Sequence, residues 1–181
     1  MWVERQLVQA YGKPVMNHDA IDLLFAYNTW ANHRILAAAE GLSVAEYEAG
    51  VSGLSHGSIR ATLIHALAAE IIWRRRCVEG VSPAALLQAA DVATFAALRE
   101  RWAVEDALLR EGVASLSDEA LAAPLTYTTT RGTPMKDVLW QILAHLVNHG
   151  TQHRAEAAVA LTAFGRSPGD VDLIVYLREG Q

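Results

Sequence analysis

Four stretches of this chain repeat their large apolar side chains every three or four residues, separated by segments bearing glycine or proline. That period gathers the apolar groups on one stripe of an α-helix, whereas a half-buried strand would alternate every second residue. In the first stretch Leu23, Leu24, Tyr27, Trp30 and Ile35 form the stripe; Asn17 or Asp19 can cap it, and Gly41 follows its end near Glu40. In the second, Ser58 caps a helix that turns Ile59, Leu63, Leu67, Ile71 and Trp73 inward and ends near Gly80. The third runs from a cap at Asp91 through Phe95, Leu98, Trp102, Leu109 and Val113. The last takes Thr133 as cap and Pro134 in its first turn, and runs to Phe164 before Gly165.

The intervening segments read differently. GLSVAEYEAGVSGLSHG is a long connection, and Pro83 suits the first turn of a short helical piece. Ser117 starts a short helix, and Leu125 to Thr130 form an extended segment or irregular ribbon ahead of a turn at Arg131-Gly132. Ser167-Pro168-Gly169 is a turn, with a final short helix from Asp170. Amphipathic helices must bury their stripes against one another, so the expected fold is all-α. Long connections favour a four-helix bundle with crossovers over simple hairpins. With no repeat or linker, residues 16–181 read as one domain and residues 1–15 as an N-terminal extension.

Composition narrows the function. A net charge of −5 gives no electrostatic footprint for nucleic acid. Apolar runs break well short of about 18 residues, so no membrane span is expected. The N-terminal segment lacks a continuous apolar core behind a basic end, so a cytoplasmic protein is expected. Cys77 is the one cysteine, which rules out an internal disulfide and a multi-cysteine zinc site.

Seven histidines remain. His145, His149 and His153 are spaced by four residues on the last helix, so neighbours share a stripe about 6 Å apart along the axis. Two such imidazoles can converge on one ion, but the outer pair, about 12 Å apart in rise, cannot. The site therefore uses 145 with 149 or 149 with 153, and His149 belongs to both. A third ligand must come from another helix. His65, in the middle of TLIHALAAEIIW, is the candidate, with a hydrogen-bonded core histidine as the alternative. Three imidazoles leave a position open, as in catalytic rather than structural zinc sites; nickel, iron or manganese would also accept them. Gly150 stands where an HExxH motif needs its glutamate, which disfavours that class of metalloprotease. His18, His33 and His56 are read as ordinary surface residues.

The segments YNTWANHRIL, GSIRATLIHALAAEIIW and LAHLVNHGTQHR, in that order and spacing, resemble the DinB/YfiT-like metalloenzyme family from about Ala20 to Phe164. The resemblance implies a four-helix bundle holding a divalent metal, zinc or nickel foremost, through His65, His149 and His153, with His145 beside the site. It also implies a homodimer and a metal-dependent enzyme acting on a small-molecule substrate with a low-molecular-weight thiol, while the ligand set is equally compatible with a hydrolase. A non-catalytic helical metal-binding or stress-associated module is the other reading. Relatives often continue the last motif as His-Arg-Gly-Gln, whereas this chain has His153-Arg154-Ala155-Glu156, where Glu156 is either solvated or orients a ligand.

Other residues carry weaker expectations. Trp30, Trp73, Trp102 and Trp140 fit the core, with ligand stacking as the lesser alternative, and Asn28, Asn32 and Asn148 fit the surface, with hydrogen bonding across helices as theirs. Arg74-Arg75-Arg76 reads as a solvated helix end, where cations suit the dipole. Those arginines could lower the pKa of the Cys77 thiol, but with no histidine partner fixed by the sequence a nucleophilic role is the lesser reading. Tyr127, Glu70 and Arg154 are candidates for a polar pocket wall or for proton transfer.

Overall fold

The computed structural model describes residues 16–179, so the expected extension over residues 1–15 lies outside the described residues. Four long helices dominate: α1 (His18–Ala39), α3 (Ile59–Cys77), α4 (Phe95–Ala114) and α6 (Leu139–Ala163). Three short helices, α2 (Val44–Glu48), α5 (Asp118–Ala122) and α7 (Leu173–Glu179), fill the connections. An antiparallel hairpin pairs β1 (Pro124–Thr128) with β2 (Pro134–Val138). The domain is thus helical as expected, but its described residues hold seven helices and a hairpin rather than four helices alone.

Capping chemistry sets most boundaries. Asn17 accepts the Ala20 N–H, and Ser58 and Ser117 do the same for Ala61 and Ala120. Each such cap contributes about 1 kcal/mol. Ser43 and Glu46 form a reciprocal capping box, which turns part of the glycine-rich connection into α2. The sequence expectation differed at three places. Thr94 rather than Asp91 caps α4, because the Asp91 carboxylate accepts the Gln88 N–H instead. Residues 83–87 form no helix. The last helix starts at Leu139, because residues 134–138 pair with β1 and Pro134 occupies the first position of its strand. Gly132, at φ +80°, makes the left-handed turn that the hairpin needs.

The long helices pack in a ring, α1 against α6 and α4, and α3 against the same two. Contacts climb α3 and α4 together: Glu70 meets Trp102, Arg74 meets Glu105, and Val78 lies against Gly112. These neighbours are therefore parallel, and residues 78–94 must run back along the length of α3. In contrast α1 and α4 are antiparallel, with Asp22 beside Arg110 and Glu40 beside Arg99. So are α3 and α6, with His65 beside His149 and Trp73 beside His145. The chain joins α1 to α3, and α4 to α6, across the ring, which accounts for two more long connections.

Two apolar clusters fill the interior. One contains Ile35, Leu63, Leu67, Leu98, Trp102 and Leu161, the other Ile21, Phe25, Leu109, Val113, Leu143 and Leu146. Trp102 is fully buried, while Trp30, Trp73 and Trp140 are only half-buried. No helix among the described residues is long and apolar enough to cross a membrane.

Candidate metal centre

The helical period of α6 places His149 and His153 one turn apart on a stripe facing α3, and His65 projects toward them from the middle of α3. The His149 Nε2 lies 3.1 Å from the His65 Nε2 and 3.2 Å from the His153 Nε2. Donors held at 2.0–2.1 Å around a tetrahedral ion would be about 3.3 Å apart, so each of these two contacts has the length expected between two ligands of one cation. As hydrogen bonds the contacts make a poor set, because one His149 lone pair cannot serve two donors well. The outward nitrogens fit the same reading. The Nδ1 atoms of His149 and His153 are buried without a hydrogen-bond partner, and the Glu156 carboxylate lies 3.5 Å from the His153 Nδ1. A carboxylate there is the usual partner of a metal-bound histidine.

A fourth imidazole joins the group. Nitrogens of His56, His65 and His153 all lie within 4.8 Å of one another, and the His56 ring stacks on that of His65 with centroids 3.9 Å apart. The surface role expected for His56 is therefore wrong. Its signal was faint, since it comes from a loop with no helical period. His145 behaves differently: it is exposed, and its ring centroid stands 5.8 Å from that of His149. His18 and His33 lie beside Asp19 and Asp106 respectively, away from the cluster.

Burial, followed by the neighbouring His56 and His153, pushes His65 down to about 4. Burial, then His153, His65, His145 and His56, does the same for His149, also to about 4. Both are therefore neutral at pH 7, with lone pairs free for a metal. The cluster is of the kind that holds a metal ion, and it is consistent with metal-dependent catalysis.

Directly behind it lies a polar node that the sequence did not reveal. Asn28 and Asn32 are buried, not exposed, and both donate their amide N–H to one oxygen of Glu70, at 2.7 and 2.8 Å. The Trp102 indole donates to the other oxygen at 2.8 Å. Arg154 donates to both asparagine carbonyls, at 2.5 and 2.9 Å, which fixes the orientation of each amide. One residue or pair from each long helix thus meets at a single point. Gly150 permits it: a Cβ there would stand 2.7 Å from the Arg154 Nη1 and 2.9 Å from the Asn28 Oδ1. Burial, with Asp106 adding to it, pushes Glu70 up to about 7 against the amides and Arg154.

One other expectation is corrected. Arg74 is buried and clamps Glu105 at 2.5 and 3.1 Å, and Arg76 lies over the Trp73 and Tyr127 rings. Of the three arginines only Arg75 fits a solvated helix end. Cys77 is also buried, and burial pushes its thiol up to about 12 despite Arg76, in keeping with the lesser weight of a nucleophilic role. Tyr127 does line a pocket, a cleft of about 270 Å³ with Trp73, Asp137, Gln141, Ile142 and His145.

Comparison with known proteins agrees with the geometry. Protein DinB of Bacillus subtilis (strain 168) is 27% identical over 158 residues, which cover 85% of this chain and 91% of the relative. The DinB family pattern matches residues 16–180, through every long helix and the histidine cluster they assemble, and the chain belongs to the DinB family.

Proposed function

We propose that this protein is a metal-dependent enzyme whose divalent ion is held by His65, His149 and His153. The observation that carries the reading is the convergence of three Nε2 atoms at contacts of 3.1 and 3.2 Å. Zinc or nickel is the ion favoured for an all-imidazole set, and iron or manganese would also be accepted. Bound there, such an ion supplies Lewis acidity, lowering the pKa of a water or low-molecular-weight thiol in its open position. The chain's own residues do the rest. His65 and His149 stay neutral and offer lone pairs at pH 7. Glu156, 3.5 Å from the His153 Nδ1, is placed to orient that ring once an ion holds Nε2, and the node around Glu70 keeps α6 in register with α3.

The cleft beside His145 favours a small-molecule substrate, with Trp73 and Tyr127 as apolar walls and Asp137 and Gln141 as polar groups. The net charge of −5 argues against nucleic acid as a partner. The proposal includes a bundle built as in DinB/YfiT-like proteins, a homodimer, and a cytoplasmic setting. Metal content of untagged protein tests the central point. We expect one ion per chain in the wild type, and a loss of affinity of at least a hundredfold in His149→Ala against little change in His145→Ala. No stoichiometric metal after reconstitution, or equal losses in both variants, overturns it. A product formed from a thiol and an electrophile by the wild type, and not by His149→Ala, separates an enzyme from a metal-holding module.

A further inference from the structure

The fourth histidine has a placement that the three-ligand reading does not use. His56 sits on a short closed loop, in which Val51 donates to the Gly57 carbonyl at 2.8 Å and Gly57 donates to the Leu54 carbonyl at 3.1 Å. Gly53 and Gly57 take φ of +92° and +79°, a region that other side chains avoid, so the loop can close this tightly only with glycine there. A latch ties the loop to α6: the Ser55 hydroxyl donates to Glu156 at 2.7 Å, and the same Glu156 oxygen lies 3.5 Å from the His153 Nδ1. The loop, its latch and the cluster are thus one assembly.

We propose that His56 is a displaceable fourth nitrogen donor, closing the metal site in the resting protein and leaving when an incoming water, thiol or substrate atom takes its place. The inference rests on the His65/His149/His153 reading of the site. A His56 nitrogen lies within 4.8 Å of those of His65 and His153, and four tetrahedral donors would be about 3.3 Å apart. An inward movement, with rotation of the ring off its stack on His65, would bring it in. Four-nitrogen sites are closed and unreactive, whereas three-nitrogen sites accept a reactant, so one loop position decides between them.

Cobalt(II) reports on this directly through its visible spectrum. Wild type, His56→Ala and Ser55→Ala are loaded with Co²⁺, and affinity is read by competition with a chelator. His56→Ala is expected to bind Co²⁺ at least tenfold more weakly, with an altered spectrum, and to regain the wild-type spectrum when free imidazole is added. β-Mercaptoethanol should produce its thiolate-to-cobalt absorption in His56→Ala at a concentration at least tenfold lower than in wild type. Ser55→Ala should lie between the two. Equal affinity, spectrum and thiol response in wild type and His56→Ala overturn the inference while leaving the three-histidine site standing. Failure of the wild type to load Co²⁺ overturns both. His56→Gln, which keeps a polar side chain on the loop, repeats the comparison should the alanine variant fold poorly.

Discussion

Two of the buried polar clusters share α6, and consecutive residues of that helix belong to one each: His153 to the histidine cluster, Arg154 to the node around Glu70. They differ in how completely they satisfy themselves. In the node, both oxygens of Glu70 accept, both asparagine amides donate and accept, and Arg154 joins the two carbonyls, its Nε being the one atom of the node buried without a partner. Among the histidines, by contrast, Nε2 atoms face one another and two Nδ1 atoms are buried without partners. Buried polar groups that satisfy each other specify a packing arrangement; buried groups left short of partners point to something still to be bound. The node is a fastening, and the cluster is a receptacle held in position by it.

The largest effect should come from opening the fastening. Arg154→Met keeps much of the side-chain volume but removes the charge that faces Glu70 through the two asparagines. It leaves two buried amide carbonyls unpartnered, a loss of about 1–3 kcal/mol for each. Urea denaturation of metal-free protein measures it. A loss below about 1 kcal/mol would mean that Arg154 does not join the two carbonyls.

Acid–base behaviour sharpens the contrast, because the two clusters respond to pH in opposite directions. Glu70 titrates at about 7 in the fold and at about 4.3 in an unfolded chain. Between those values the folded state binds more protons, so this group's contribution falls as pH rises, by a total on the order of 3 kcal/mol. Asp106, pushed up to about 6 chiefly by burial, acts in the same sense. His65 and His149, both pushed down to about 4, do the reverse: the unfolded chain binds more protons between about 4 and 6.5, so stability rises with pH there. Taking the stability difference between metal-free wild type and Glu70→Gln cancels the histidines, and that difference should fall by about 2–3 kcal/mol between about pH 5 and 8. The substitution itself adds a constant penalty of about 1–3 kcal/mol for a donor facing the Trp102 indole or an asparagine amide. A difference that stays constant over that interval would show Glu70 ionised throughout.

The two regions were also unequally legible in the sequence. The i, i+4 spacing of His149 and His153 announces itself, because helical period is a local property and imidazoles are rare on apolar stripes. Ser58 and Ser117 were readable as caps for the same reason: a cap acts on residues three positions away. The node is non-local. Asn28 and Asn32 share a stripe four residues apart, yet nothing near them in sequence shows that Glu70, Trp102 and Arg154 will arrive from other helices, so exposure looked the simpler reading. His56 was missed likewise, since a loop histidine has no period to give it a direction. Pairing displaced local preference at Thr133-Pro134, which would suit a helix start but lead into a strand because Leu125 and Tyr127 lie opposite.

The smallest predicted effect is also the one that most directly separates receptacle from fastening. His149→Ala removes a half-buried ring and with it some packing, which is unfavourable. It also removes a buried Nδ1 without a partner and two strained-for-choice Nε2 contacts, which is favourable, since an unsatisfied buried polar group costs about 1–3 kcal/mol. The opposing contributions should leave metal-free stability within about 1 kcal/mol of wild type. Added metal should then divide the two proteins. At a free concentration a hundred times its dissociation constant, an ion that binds only the folded state stabilises it by about 2.7 kcal/mol. Wild type should show that gain and His149→Ala should not, in parallel urea titrations with and without Zn²⁺ or Ni²⁺. A metal-free His149→Ala destabilised as severely as Arg154→Met would make the histidines a second fastening, evolved for packing rather than for a ligand.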